Sequence, residues 1–168
     1  IEKTGGNIPE WLLDRITMLT SKNEFYLARV ILASRIFDLY KLNSEWVINT
    51  FIEKFYPSRN SESTALWEGY LWTARWSPDF FDELKLPFLD LLSQSTPRLK
   101  RIGTVYELFG VLCVEHPGAF TSDEKRNILR SAGKTYLATI SNTLNRQLYS
   151  VDSGTDRIWS ERIAPFIR

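Results

Sequence analysis

The chain is predicted to be all-α. Three observations predict this. Apolar residues recur at helical spacing through most of the length, helix start and stop signals punctuate the chain, and no useful stretch alternates with period two. Residues 1–8 are polar and glycine-containing (Thr4, Gly5, Gly6, Asn7) and read as a flexible lead-in. Pro9 suits the first position of a helix carrying Trp11, Leu12, Ile16 and Leu19, which Ser21, Lys22 and Asn23 break. A second, longer helix is expected from about Glu24 to Lys41. Ala28, Ile31, Leu32 and Phe37, with Val30, Ala33, Ile36 and Tyr40, give it two apolar faces, as in a helix buried on most sides. Asn43 or Ser44 caps a third, with Val47, Ile48, Phe51, Ile52 and Phe55 facing inward until Pro57.

After the polar loop 58–63, a fourth helix is expected near Thr64 to Trp76. Its stripe is Trp67, Tyr70, Leu71 and Ala74, while Trp72 and Trp76 lie on a different side with Arg75 beside them. Ser77-Pro78 restarts the chain as cap and first residue, and Asp79, Asp82 and Glu83 suit the dipole of a helix start. Pro87 should interrupt that helix, leaving Phe88 to Leu92 as a short continuation. A seventh helix runs from about Leu99 to Glu115 (Ile102, Val105, Tyr106, Leu108, Phe109, Leu112) and stops at His116-Pro117-Gly118. Thr121-Ser122-Asp123-Glu124 is a capping box opening an eighth (Ile128, Leu129, Ala132). A ninth follows Gly133 (Tyr136, Leu137, Ile140, Leu144, Leu148), and a short last one carries Ile158, Trp159 and Ile163 before Pro165. About nine or ten helices with short connections predict an irregular stack of antiparallel helical hairpins, α-solenoid-like or a compact multi-helix bundle.

Length fits one helical domain over 9–168. Beginning at Ile1 and stopping at Arg168 after Pro165-Phe166-Ile167, the chain reads as a C-terminal piece of a larger protein. The 14% aromatic share, with six Trp, predicts a bulky core, a sticky surface, or both. Net charge is +1, which gives no global pull toward nucleic acid or anionic membrane. No apolar run reaches the roughly 18 residues of a membrane span. One Cys allows no internal disulfide and fits a reducing cytoplasm.

Reactive side chains are scarce: one His (His116), one Cys (Cys113), and no ligand cluster or glycine-rich phosphate loop. No cofactor, metal or catalytic residue is therefore expected, and an enzyme whose site is built from scattered Glu, Asp, Tyr and Arg stands as the third reading after an interaction module and a nucleic-acid-contacting domain. Cys113 and His116 are neighbours on one helix face, as a nucleophile pair would be, but Cys113 sits in an apolar run and His116 at a helix end. A buried inert thiol and a His favourable to the dipole of the helix end explain both without chemistry. Arg126, Arg130 and Lys134 fall at i, i+4, i+8, and Arg98, Lys100 and Arg101 form a second basic group. They could contact phosphates or simply form a solvated face. Trp72, Arg75 and Trp76 either pack under a further layer of this domain or form a contact surface for another domain or subunit, where Trp and Arg are enriched as anchors.

Landmarks in the second half carry a resemblance. Leu66-Trp67-Glu68-Gly69-Tyr70-Leu71-Trp72 is followed by Leu84-Lys85 and Phe88-Leu89, a helix closing at His116-Pro117, and Ile158-Trp159-Ser160-Glu161-Arg162-Ile163-Ala164-Pro165-Phe166. Over roughly residues 60–168 this resembles an uncharacterised helical family near the C-terminus of large bacterial proteins that begin with a sirtuin-like domain. The resemblance implies a cytoplasmic multidomain parent that binds or consumes NAD elsewhere in its chain, in phage defence. It brings no catalytic residue to this segment. It implies a scaffold, sensing or oligomerisation role, with partners among other domains of the same polypeptide or further copies.

Overall fold

The computed structural model describes residues 9–21, 23–94, 99–149 and Ala164. Among them the fold is all-α, with no strand. The helices are α1 (Glu10–Ser21), α2 (Tyr26–Ser34), α3 (Ile36–Leu42), α4 (Ser44–Thr50), α5 (Ser63–Leu71), α6 (Pro78–Ser93), α7 (Ile102–Glu115), α8 (Ser122–Ser131) and α9 (Lys134–Tyr149). Short 3-10 turns lie at Asn23–Phe25, Ile52–Phe55 and Pro117–Ala119. None of the helices is long and apolar enough to cross a membrane. The short helix expected around Ile158, Trp159 and Ile163 lies outside the described residues. So does the lead-in at 1–8.

Sequence predicts one domain, and the residues pack as two compact units. The first holds α1–α6 with Leu99 and Lys100; the second holds α7–α9. In the first, α2 packs most extensively on α5, its partner beyond two intervening helices, while α3 and α4 pack as neighbours. The α2–α5 approach is close because Gly69 on α5 has no side chain: a Cβ there would overlap the Val30 carbonyl oxygen. In the second, α7 packs on α9, and Gly110 plays the same part against the buried Thr143.

The aromatic surplus goes mainly into the core of the first unit. Phe37, Phe80, Tyr70, Phe55, Trp67, Phe88 and Phe81 touch in succession, with ring centroids 5.1–6.3 Å apart and mostly edge to face. Such pairs add about 0.5–1.5 kcal/mol each beyond the area they bury. Trp67 is fully buried and its Nε1 donates to the Phe55 carbonyl at 2.8 Å, so its one polar atom is satisfied. In the second unit Tyr106 stacks on Tyr136 at 4.5 Å and Phe109 meets Phe120 at 5.1 Å.

Several helix starts follow their sequence signals. The Asn43 side chain accepts from Trp46 N at 2.9 Å, and Ser77 accepts from Phe80 N at 3.4 Å. Both arms of the Thr121/Glu124 capping box form, at 2.7 and 3.2 Å.

The helix expected to run to Pro57 ends at Thr50 and gives way to the 3-10 turn Ile52–Phe55, and three further boundaries differ from expectation. The helix expected over 24–41 breaks at Arg35, whose backbone (φ −113°, ψ 9°) leaves the helical region. The break lets α2 bury Arg29 and Ala33 while α3 buries Ile36 and Phe37, which one straight rod with two apolar faces would not. Pro87 does not stop α6. It has no N–H for the Glu83 carbonyl, but Leu84, Phe88, Leu91 and Leu92 around it are buried, and that packing outweighs the lost bond. The helix expected to reach Trp76 ends at Leu71.

Candidate interaction surface

Trp72 is the C-cap of α5, and Thr73 turns the chain away. The Thr73 hydroxyl donates to the Ser34 carbonyl at 3.2 Å, tying the turn to the end of α2. Ala74 then takes φ 46°, the left-handed region that a residue with a Cβ rarely occupies. Directly after it, the buried Tyr70 hydroxyl donates to the Arg75 carbonyl at 3.2 Å. The helical hydrogen bonding thus runs out at Ala74, and the segment 72–76 is a pinned exit from the helix and not a continuous helical turn.

This corrects the expected geometry. Trp72 and Trp76 do not share a helix face, because the chain leaves the helix between them. Trp72 is 72% exposed, whereas Trp76 is half-buried. Arg75 is fixed as well. Its Nη1 donates to Asp38 Oδ1 at 2.6 Å, and its guanidinium carbon lies 4.9 Å from the Phe37 ring centre. Lys41 Nζ lies 4.6 Å from the same ring centre, so two cations bracket one aromatic platform on α3. Both ends of the Arg75–Asp38 pair are about half exposed, so the pair orients more than it stabilises. The result is a large exposed indole beside a charged, ordered ledge.

The basic residues do not form one face. Lys134 opens α9 while Arg126 and Arg130 lie on α8, with the non-helical Ala132 between; the i, i+4, i+8 stripe is therefore cut. Arg126 pairs with Asp123 at 3.2 Å. The backbone N–H of Lys100 donates to the Glu68 carboxylate. Arg101 is the half-buried N-cap residue of α7. Arg98 lies outside the described residues.

Cys113 is buried, and desolvation pushes its thiol up to about 12, with Lys125 pulling weakly the other way. At neutral pH it is a thiol, not a nucleophilic thiolate. His116 caps the end of α7 by donating its backbone N–H to Leu112 at 2.9 Å. No group of three His, Cys, Asp or Glu among the described residues could hold a metal ion. Burial raises the Tyr40 hydroxyl, and the charges of Glu83, Asp79 and Asp82 raise it further.

Two features escaped the sequence pattern. Arg29, its side chain only 3% exposed, forms a fork to Glu62, Nε to Oε2 at 2.9 Å and Nη2 to Oε1 at 2.5 Å. An Arg inside an apolar run was the available signal. The Phe37/Asp38 ledge under Arg75 is built across 37 residues of sequence, and no local pattern announces it. No family model, curated protein or solved structure matches this chain.

Proposed function

We propose that this chain is a non-catalytic helical scaffold, interaction or sensing module of a larger bacterial protein, with Trp72 as the anchor of its contact surface. The carrying observation is that indole, 72% exposed on a backbone turn pinned by Tyr70, Thr73 and Arg75. A large aromatic side chain carried at the surface on a fixed backbone loses less conformational freedom on docking than a flexible one, which is what makes Trp an interface hot spot. The scarcity of reactive groups supports the same reading: the thiol is sealed in the core, and the most strongly shifted hydroxyl, that of Tyr70, is fully buried. The proposed setting is a sirtuin-associated phage-defence protein of the cytoplasm, and it rests on the resemblance over residues 60–168. The nucleic-acid alternative draws less support, because its basic residues are divided between helices and Arg126 is already paired.

The test is Trp72→Ser, alone and with Trp76→Ser, in the parent protein. The single change should alter stability by no more than about 0.5 kcal/mol, as at other exposed positions, while assembly or activity of the parent falls. Intact assembly and activity with the fold preserved would remove this surface from the function.

A further inference from the structure

The outer face of α2 carries a pattern that is complementary to itself when reversed. Leu27 and Ile31 are 71% and 67% exposed, one helical turn apart. Glu24, in the 3-10 turn leading into α2, and Arg35, at its C-cap, are exposed at either end of the same stripe. Neither of these side chains pairs with another described residue. The opposite face of α2, with Arg29 and Ala33, is the one that packs inward. The order along the stripe is acid, apolar, apolar, base. The midpoint between Glu24 and Arg35 nearly coincides with that between Leu27 and Ile31.

We infer that this stripe is a self-association surface whose occupant is α2 of a second copy of the chain, running antiparallel about a two-fold axis near residue 29. In that register Leu27 of each copy meets Ile31 of the other, and Glu24 of each meets Arg35 of the other, so every contact is made twice. A parallel register would instead set Glu24 against Glu24 and Arg35 against Arg35. Charge complementarity thus selects both the partner and its direction. One helix seam buries less than the roughly 800 Å² per partner of a standard interface, so the dimer is weak and concentration-dependent. This inference goes beyond the reading above and does not depend on Trp72.

The test is sedimentation of the 168-residue chain from about ten micromolar to about one millimolar at low salt. A monomer–dimer equilibrium is expected, weakened by salt. Leu27→Asp with Ile31→Asp should leave a monomer throughout. Glu24→Arg and Arg35→Glu, taken singly, each place like charges opposite and should raise the dissociation constant about tenfold, since two pairs are lost and two repulsions gained. The two reversals together should restore wild-type association. Circular dichroism of each variant establishes that it is folded, and the double reversal carries the same changes as the singles. A chain that stays monomeric at every concentration, or a double reversal that does not recover, overturns the proposal. So does a dimer indifferent to all four positions.

Discussion

A methyl group added at Gly69 would meet not only the Val30 carbonyl but also Val30 Cγ1 at 3.2 Å and Ala33 Cβ at 3.3 Å. The first neighbour is backbone and cannot swing away, so α2 and α5 would have to separate. Gly69→Ala should therefore cost about 2 kcal/mol, within the range for overpacking. Gly103→Ala meets nothing within 4 Å in α7 and should gain about 0.5 kcal/mol from helix propensity. Urea unfolding of both variants tests the contrast; equal and opposite signs to these would refute the account of the α2–α5 contact. Removing one end of the Arg29–Glu62 fork is a different loss. Glu62→Gln leaves a guanidinium uncompensated in the core and should cost about 2 kcal/mol. That is below the usual range for a broken buried pair, because Glu62 is 28% exposed. Arg29→Met with Glu62→Leu should recover most of it, measured by the same unfolding curves. At this scale the sequence is least informative. That Gly69 is a contact glycine and Gly103 is not depends on a helix forty residues away.

Helix starts were the most legible elements, because N-capping is chemistry between residues two or three apart. Asn43, Ser77 and Thr121 each announce a start, and each side chain accepts the bond its position implies. Thr121→Ala should cost about 1 kcal/mol, read as a fall in the melting temperature, since it removes one arm of the box opening α8. A smaller loss from Thr121→Ala than from the exposed Ser122→Ala would show that the box is not what holds that end. Helix interiors misled where tertiary packing opposed local propensity. Pro87 has the chemistry of a breaker, yet the buried side chains flanking it carry α6 through. Trp76 has helical spacing from Trp72, yet the chain leaves the helix at Ala74 and is tied there by Tyr70 and Thr73, which spacing cannot reveal. The all-α class survives such errors because it rests on period, summed over many turns.

For the whole chain, burial of acids that are neutral at physiological pH sets the alkaline limit. In the unfolded chain the Cys113 thiol would ionise at its ordinary value of 9.0, but burial in the fold pushes it up to about 12. Unfolding then releases protons, so stability is complete below the lower value and drains away as pH climbs toward the higher one. Tyr70, Tyr106, Tyr40 and Tyr56 are raised too, and extend the decline further up the scale. Unfolding midpoints taken at about pH 8 and about pH 10 should fall for the wild-type chain and fall less for Cys113→Ala. Parallel declines would take the thiol out of the explanation. Composition made a buried Cys a fair expectation, whereas the division into two compact units left no mark in composition or charge. The lone sealed sulfur has one more consequence. A colorimetric disulfide reagent can reach it only through transient openings of the α7–α9 unit, so the speed of thiol exchange becomes a native stopwatch for that unit's breathing, with no other cysteine in the sequence to blur it.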